Sequence, residues 1–161
     1  MSFTNFERMI QLADEVFATK SDPNQLDINE EVLAHLQAIH PATVSEYDDG
    51  NGPVAWILLI PTTTELMHQF IEGTISEKQL YELTPLNINY QAVYLCSAMV
   101  LEEYRRKGIA KRLTLQAIAA IRNDHPIQSL FVWTFSKEGF LSAEALAHET
   151  ALPLLHRSDN Q

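Results

Sequence analysis

The sequence predicts an α/β domain built on a mixed sheet, and three observations lead there. First, Thr43–Tyr47 and the apolar run Val54–Ile60 flank Asp48-Asp49-Gly50-Asn51-Gly52, a turn-forming cluster that marks a β-hairpin and so antiparallel pairing. Second, Tyr90 to Leu101 is apolar on both faces, as expected of a strand in the middle of a sheet. Third, that run is followed by a helix pattern over 109–122 and another strand pattern over 129–135. A strand–helix–strand unit of this kind folds as a right-handed crossover between parallel strands. Both pairing modes in one sheet, with helices on its faces, define the mixed α/β (α+β) class.

The remaining elements are taken in chain order. Thr4-x-x-Glu7 has the form of a capping box, and Phe6, Met9, Ile10, Ala13 and Phe17 recur at helical spacing, which predicts a helix over 5–18. Ser21-Asp22-Pro23-Asn24 reads as a loop. Asp27 as cap and the stripe Val32, Leu33, Leu36 and Ile39 predict a second helix over 28–39, closed by Pro41. After the hairpin, residues 64–84 carry two short amphipathic helices (Leu66, Met67, Phe70, Ile71; then Ile75, Leu80, Leu83) separated by Gly73. They form a helical insert ahead of the central strand. Ile109, Leu113, Ala117, Ala120 and Ile121 stripe one side of the strongest helix, and Pro126 ends that region. A short helix is predicted over 141–148, and Leu152 to Leu155 can add one short strand. A single domain over 1–156 with a mobile polar tail over 157–161 completes the expectation.

Composition narrows the class. A chain of 161 residues buries a core without staples, and 46% apolar with 20% charged residues is ordinary for a soluble globular protein. The single cysteine, Cys96, excludes an intramolecular disulfide and suits a reducing compartment. No basic-then-apolar leader opens the sequence and no apolar run is long enough to span a bilayer, so a cytoplasmic protein without a membrane partner is expected. A net charge of -10 argues against nucleic acid, whose binding depends on many cationic contacts. The six histidines lack paired helical spacing, which predicts no metal site. Cys96, Trp56 and Trp133 fall in strand patterns and read as core.

Against this acidity, five of the eleven Lys and Arg residues fall together: Arg105, Arg106, Lys107, Lys111 and Arg112. They surround Gly108 and Ala110 where the central strand gives way to a helix. Gly108 lets the chain turn without a Cβ in the way of a ligand oxygen, and the N–H groups of Arg106 to Ala110 then point outward at a helix N-terminus. Basic side chains in a first turn oppose the helix dipole, a conflict that a bound anion removes. The cluster therefore predicts a site for a small phosphorylated ligand, with Lys107, Lys111 and Arg112 adding charge-assisted contacts.

The stretch Arg105-Arg106-Lys107-Gly108-Ile109-Ala110 resembles the Arg/Gln-x-x-Gly-x-Gly/Ala motif of the GCN5-related N-acetyltransferases (the GNAT family). Val100-Leu101-Glu102-Glu103-Tyr104 before it resembles the family's Val-x-Pro-Glu-Tyr approach, with Glu102 where proline is usual. The looser likeness extends over roughly 43–148. It implies a GNAT-like fold, acetyl-CoA as co-substrate, and an amine of a small molecule or peptide as acceptor. It also implies cofactor contacts from Met99, Val100, Arg105, Arg106, Lys107, Gly108, Ile109, Ala110, Lys111 and Arg112. The strand before the turn would splay from its neighbour, and the Met99 and Val100 N–H groups would meet the pantetheine arm and the thioester carbonyl.

The sequence departs from that pattern in definite places. The helix over 141–148 has no Tyr to protonate the departing thiolate, which leaves Ser142 or His148 for that role, and Glu46 is the best carboxylate to serve as base. No strand precedes the first helix, and little chain remains for a final strand pair; a homodimer would compensate for missing sheet edges. These departures suit a second reading, a GNAT-like module that binds acyl-CoA without efficient turnover. An interaction domain whose basic turn meets an acidic partner is the third.

Overall fold

The structure is a computed structural model that describes residues 4–18, 30–134 and 136–157. Its first elements are α1 (Asn5–Ala18), α2 (Glu30–Ile39), β1 (Val44–Asp48), β2 (Pro53–Thr62), α3 (Thr64–Ile71), α4 (Glu77–Leu83) and β3 (Ala92–Val100). Then come α5 (Ile109–Asp124), β4 (Ser129–Val132), α6 (Lys137–Thr150) and β5 (Leu154–His156), with 3-10 turns at Pro41–Thr43 and Glu102–Tyr104. The five strands form one sheet in chain order. The first three pair antiparallel, and β3–β4 and β4–β5 pair parallel, which is the mixed sheet the sequence predicts.

Local chemistry accounts for the boundaries. Thr4 and Glu7 form the expected reciprocal cap of α1, with Thr4 N–H to Glu7 Oε1 and Glu7 N–H to Thr4 Oγ1 both at 3.1 Å. Ser76 and Gln79 do the same for α4. In the β1–β2 turn, Asp48 Oδ1 accepts from the Gly50 and Gly52 N–H groups, and both glycines have positive φ.

Two expectations are corrected. The sequence pattern extends the fourth strand over 129–135, but β4 ends at Val132, so Trp133 is buried just beyond a strand rather than within one. The next helix begins at Lys137, earlier than the predicted 141, because Ser136 Oγ caps it by accepting from Gly139 N–H at 3.0 Å. The Asp27 cap, the loop at 21–24, Phe135, the side chain of Phe17 and residues 158–161 lie outside the described residues.

Side-chain alternation sorts the layers. Thr62 meets Thr84 beside α4, Tyr94 and Phe131 meet Phe70 of α3, and Trp56 meets Phe6 of α1, so these three helices share one face. α6 is on the other, beside Val132 and His156, with α5 as its neighbour. The insert is anchored deeply: Phe70 is fully buried, with ring centroids 5.0, 5.8 and 5.9 Å from Tyr94, Phe131 and Trp133. Tyr94 donates to buried Glu77 of α4 at 2.6 Å, and burial holds its phenol well above the ordinary tyrosine range. Arg157 lies over the Phe70 and Trp133 rings and donates to the Ile75 carbonyl at 3.0 Å. No helix among the described residues is long and apolar enough to cross a membrane.

Candidate functional site

The basic cluster forms the junction between β3 and α5. Gly108 is the N-cap of α5 with φ +76°, and Arg106 two residues earlier also has positive φ, +64°. Left-handed residues alternating with others curl backbone N–H groups into an anion-binding concavity. The first intrahelical bond is Arg112 N–H to Gly108 C=O at 3.0 Å, so the Ile109, Ala110 and Lys111 N–H groups precede the ladder. A Cβ added at Gly108 would meet nothing within 4 Å, so the loop is open on that side. Gly108 has no side chain to cap the helix, and the first turn holds no acid.

The cluster's side chains have separate partners. Arg105 turns back, its Nε donating to the Val100 carbonyl at 3.0 Å. Lys107 Nζ lies 5.6 Å from the centroid of the Tyr104 ring. Lys111 pairs with Glu149 of α6 at 2.9 Å, an exposed ion pair that costs little to exchange for a stronger partner. Arg106 and Arg112 are exposed, Ile109 is buried and Ala110 half-buried.

The second feature is a split in the sheet. β3 and β4 pair only at Ala92–Ser129, Val93–Leu130 and Tyr94–Phe131, after which β3 continues to Val100 without β4 beside it. A bulge lies at the split: Leu59 pairs with Leu95 and Leu58 with Ser97, leaving Cys96 as the extra residue. A bulge bends its strand and re-aims the residues beyond it. The gap opens into a cavity of about 410 Å³, within the range that holds a small ligand, roughly 300–1,000 Å³. Leu95 to Ala98 form one wall and Val132 to Thr134 with Ser142 of α6 another, and Ile57 of β2 and Thr114 of α5 also line it.

The sites expected from the sequence separate on this frame. Leu101 N–H bonds to the Val54 carbonyl, so antiparallel alternation turns the Met99 N–H to β2 and the Val100 and Ala98 N–H groups to the opposite side. Met99 is buried and Val100 half-buried. Ser142 lines the cavity, whereas His148 is exposed farther along α6 and does not. Glu46 is on edge strand β1, exposed, and accepts from Trp56 Nε1 at 2.8 Å. Among the described residues, the cavity wall carries hydroxyls and the Cys96 thiol but no carboxylate, imidazole, amine or phenol. Nothing in the sequence marks Cys96, Ser97 or Thr114 as a site residue. A bulge has no composition signal. Among the described residues, no group of three His, Cys, Asp or Glu side chains could hold a metal ion.

Carboxylates close to the loop are held ionised. Arg8 of α1 grips Glu103 with two bonds of 2.6 Å, and this pairing depresses the Glu103 carboxyl to about 2. The Tyr104 hydroxyl donates to Asp49, and that bond, followed by one from the Asn51 N–H, lowers the Asp49 carboxyl.

Comparison with known proteins bears on this arrangement. The chain matches the acetyltransferase (GNAT) family over residues 7–140. Among solved structures it is similar to Naa20 of Chaetomium thermophilum, described in complex with a bisubstrate analogue, with 17% identity and a TM-score of 0.51. The likeness covers 89% of this chain and 67% of that one, and at such identity it concerns the fold. No curated protein matches the chain.

Proposed function

Because this chain belongs to the acetyltransferase (GNAT) family, we propose that it transfers the acetyl group of acetyl-CoA to an amine of a small molecule or peptide. The observation that carries the reading is the alignment of two open features along one strand. The cavity at the Cys96 bulge and the N–H groups at the start of α5 are joined in the chain by residues 97–105, the end of β3 and the turn that follows it. The N–H groups and the cations Arg106 and Lys107 hold the pyrophosphate, and Lys111 or Arg112 the adenosine phosphate. The Ala98 and Val100 backbone receives the pantetheine arm, and the reacting end occupies the cavity.

Acetyl-CoA supplies an activated thioester; the chain supplies proximity. The neutral amine nitrogen forms the C–N bond as the C–S bond breaks, and its extra proton goes to water or to the released thiolate. The hydroxyls of Ser97 and Ser142 can relay that proton, and an oriented backbone N–H opposes the charge that develops on the carbonyl oxygen. Glu46, already bonded to Trp56, and exposed His148 are further from such a role than Ser142. The acidic surface favours a cationic acceptor in its approach. We place the protein in the cytoplasm, where its co-substrate is made available.

One observation favours a second reading, a module that binds acyl-CoA without efficient turnover: no Tyr occurs on α6, and among the described residues no strong acid or base lines the cavity. Thiol release from acetyl-CoA over a panel of primary amines separates the two. Amine-dependent release supports transfer. Tight acetyl-CoA binding with no release above the amine-free rate overturns transfer and leaves the binder.

A further inference from the structure

The loop proposed to hold the pyrophosphate does not spring directly from the sheet. Between β3 and Arg105 the chain makes the 3-10 turn Glu102–Tyr104, stabilised internally by Tyr104 N–H to Leu101 C=O and Arg105 N–H to Glu102 C=O. Two long-range anchors hold this turn from outside. The Tyr104 hydroxyl donates to Asp49 in the β1–β2 turn, and Glu103 is gripped by both terminal nitrogens of Arg8 on α1. Asp49 is itself fixed, accepting from Asn51 N–H at 2.8 Å and from Asn5 Nδ2 at 3.3 Å. The two anchors come from different elements and fall on adjacent residues, immediately before Arg105 and the left-handed Arg106.

That placement is odd on electrostatic grounds. Asp49 and Glu103 are carboxylates beside a loop expected to take a dianion, and each unmasked charge would repel it. Each is masked, one by a guanidinium fork and the other by a phenol and a backbone N–H. The Tyr104 ring also lies beneath Lys107 Nζ, so the same residue orients a cation of the loop.

We propose that Asp49 and Arg8 are positioning residues for coenzyme A binding: they clamp the Glu102–Tyr104 turn to the hairpin and to α1, and so hold in place the loop that begins at Arg105, with its left-handed Arg106 and Gly108. This rests on the reading that the loop binds coenzyme A. The two residues touch no reacting atom and act through Tyr104 and Glu103. Since α1 and the hairpin turn are remote in sequence from the loop, the clamp ties cofactor affinity to both.

Calorimetric titration with acetyl-CoA tests the clamp in the wild type and in Tyr104→Phe, Asp49→Ala, their double variant, Asp49→Asn and Arg8→Ala. Tyr104→Phe keeps the ring under Lys107 and removes one hydroxyl. It and Asp49→Ala each weaken acetyl-CoA binding about fivefold, the scale of one hydrogen bond. The double variant is no weaker than Asp49→Ala, because both changes remove the same bond. Asp49→Asn, which keeps an acceptor, retains most of the affinity, and Arg8→Ala weakens binding by at least as much as Tyr104→Phe. The amine KM measured at saturating acetyl-CoA stays put, a split that general loss of stability does not produce. If folded Tyr104→Phe and Arg8→Ala bind acetyl-CoA as the wild type does, the clamp is overturned and the coenzyme A site stands. If the wild type itself fails to bind acetyl-CoA, the site reading falls and the clamp with it. Should Asp49→Ala not fold, Tyr104→Phe decides the matter alone.

Discussion

At the scale of single residues, the chain repeatedly uses side chains to hold backbone in place, and His125 shows how such a contact sets a pH response. His125 closes α5; its Nδ1 accepts from Tyr90 N–H at 3.4 Å, and its ring lies 4.7 Å from that of Tyr90 and 5.9 Å from that of His40. Burial, then the neighbouring His40, lowers its pKa below the ordinary 6.5. A proton on Nδ1 would also end its role as acceptor. At His125 the unfolded chain therefore binds more protons than the folded one in the window below 6.5, so acidification through that window destabilises the fold, while the contribution of His125 is level above it. Urea unfolding from about pH 8 to about pH 5 should show this slope, and His125→Phe should reduce it. An unchanged slope in the variant would assign the pH response elsewhere. Glu103 acts in a lower window: with its carboxyl depressed to about 2, its contribution is complete above the ordinary 4.5 and is lost as pH falls toward 2.

At the scale of elements, the α3–α4 insert is part of the core. Phe70 of α3 is fully buried against three aromatic rings from β3 and the end of β4, and Trp133 among them lines the cavity. Phe70→Ala should cost about 3–5 kcal/mol of unfolding free energy in chemical denaturation, by lost burial and the void left behind. A loss under about 1 kcal/mol would mean that the insert is peripheral. The insert helices were legible because short apolar stripes on either side of Gly73 announce themselves locally. The hairpin was legible for the same reason: Asp48, Gly50 and Gly52 carry their own turn chemistry. The end of β4 and the start of α6 were not, since apolar residues continue through Trp133 after the ladder has stopped. Which of them pair depends on where β3 goes. That in turn depends on the Cys96 bulge, a matter of register between strands that no single segment encodes.

At the scale of the whole molecule, the fold gathers five of its eleven Lys and Arg residues just after β3 on an acidic body, and opens a cavity along residues 95–98 of the same strand. The sequence made the first half visible, because Arg105 to Arg112 stand out from a net charge of -10 and Gly108 marks the turn. The second half was not visible, because the cavity's walls come from β2, β3, α5, β4 and α6, and its lining is ordinary in composition. Positive φ at Arg106 was likewise hidden, since an arginine gives no sign of it. The central claim is that acetyl-CoA binds along this strand with its pyrophosphate on the loop. The most direct test is calorimetric titration of acetyl-CoA into the wild type and into Gly108→Glu. The substitution places bulk and negative charge on the open side of the loop, at a left-handed position whose strain costs about 1–2 kcal/mol, which a folded domain tolerates. The account predicts saturable binding to the wild type and its loss in a variant that still unfolds cooperatively. Equal affinity in the two folded proteins, or no binding to the wild type at millimolar ligand, would contradict it.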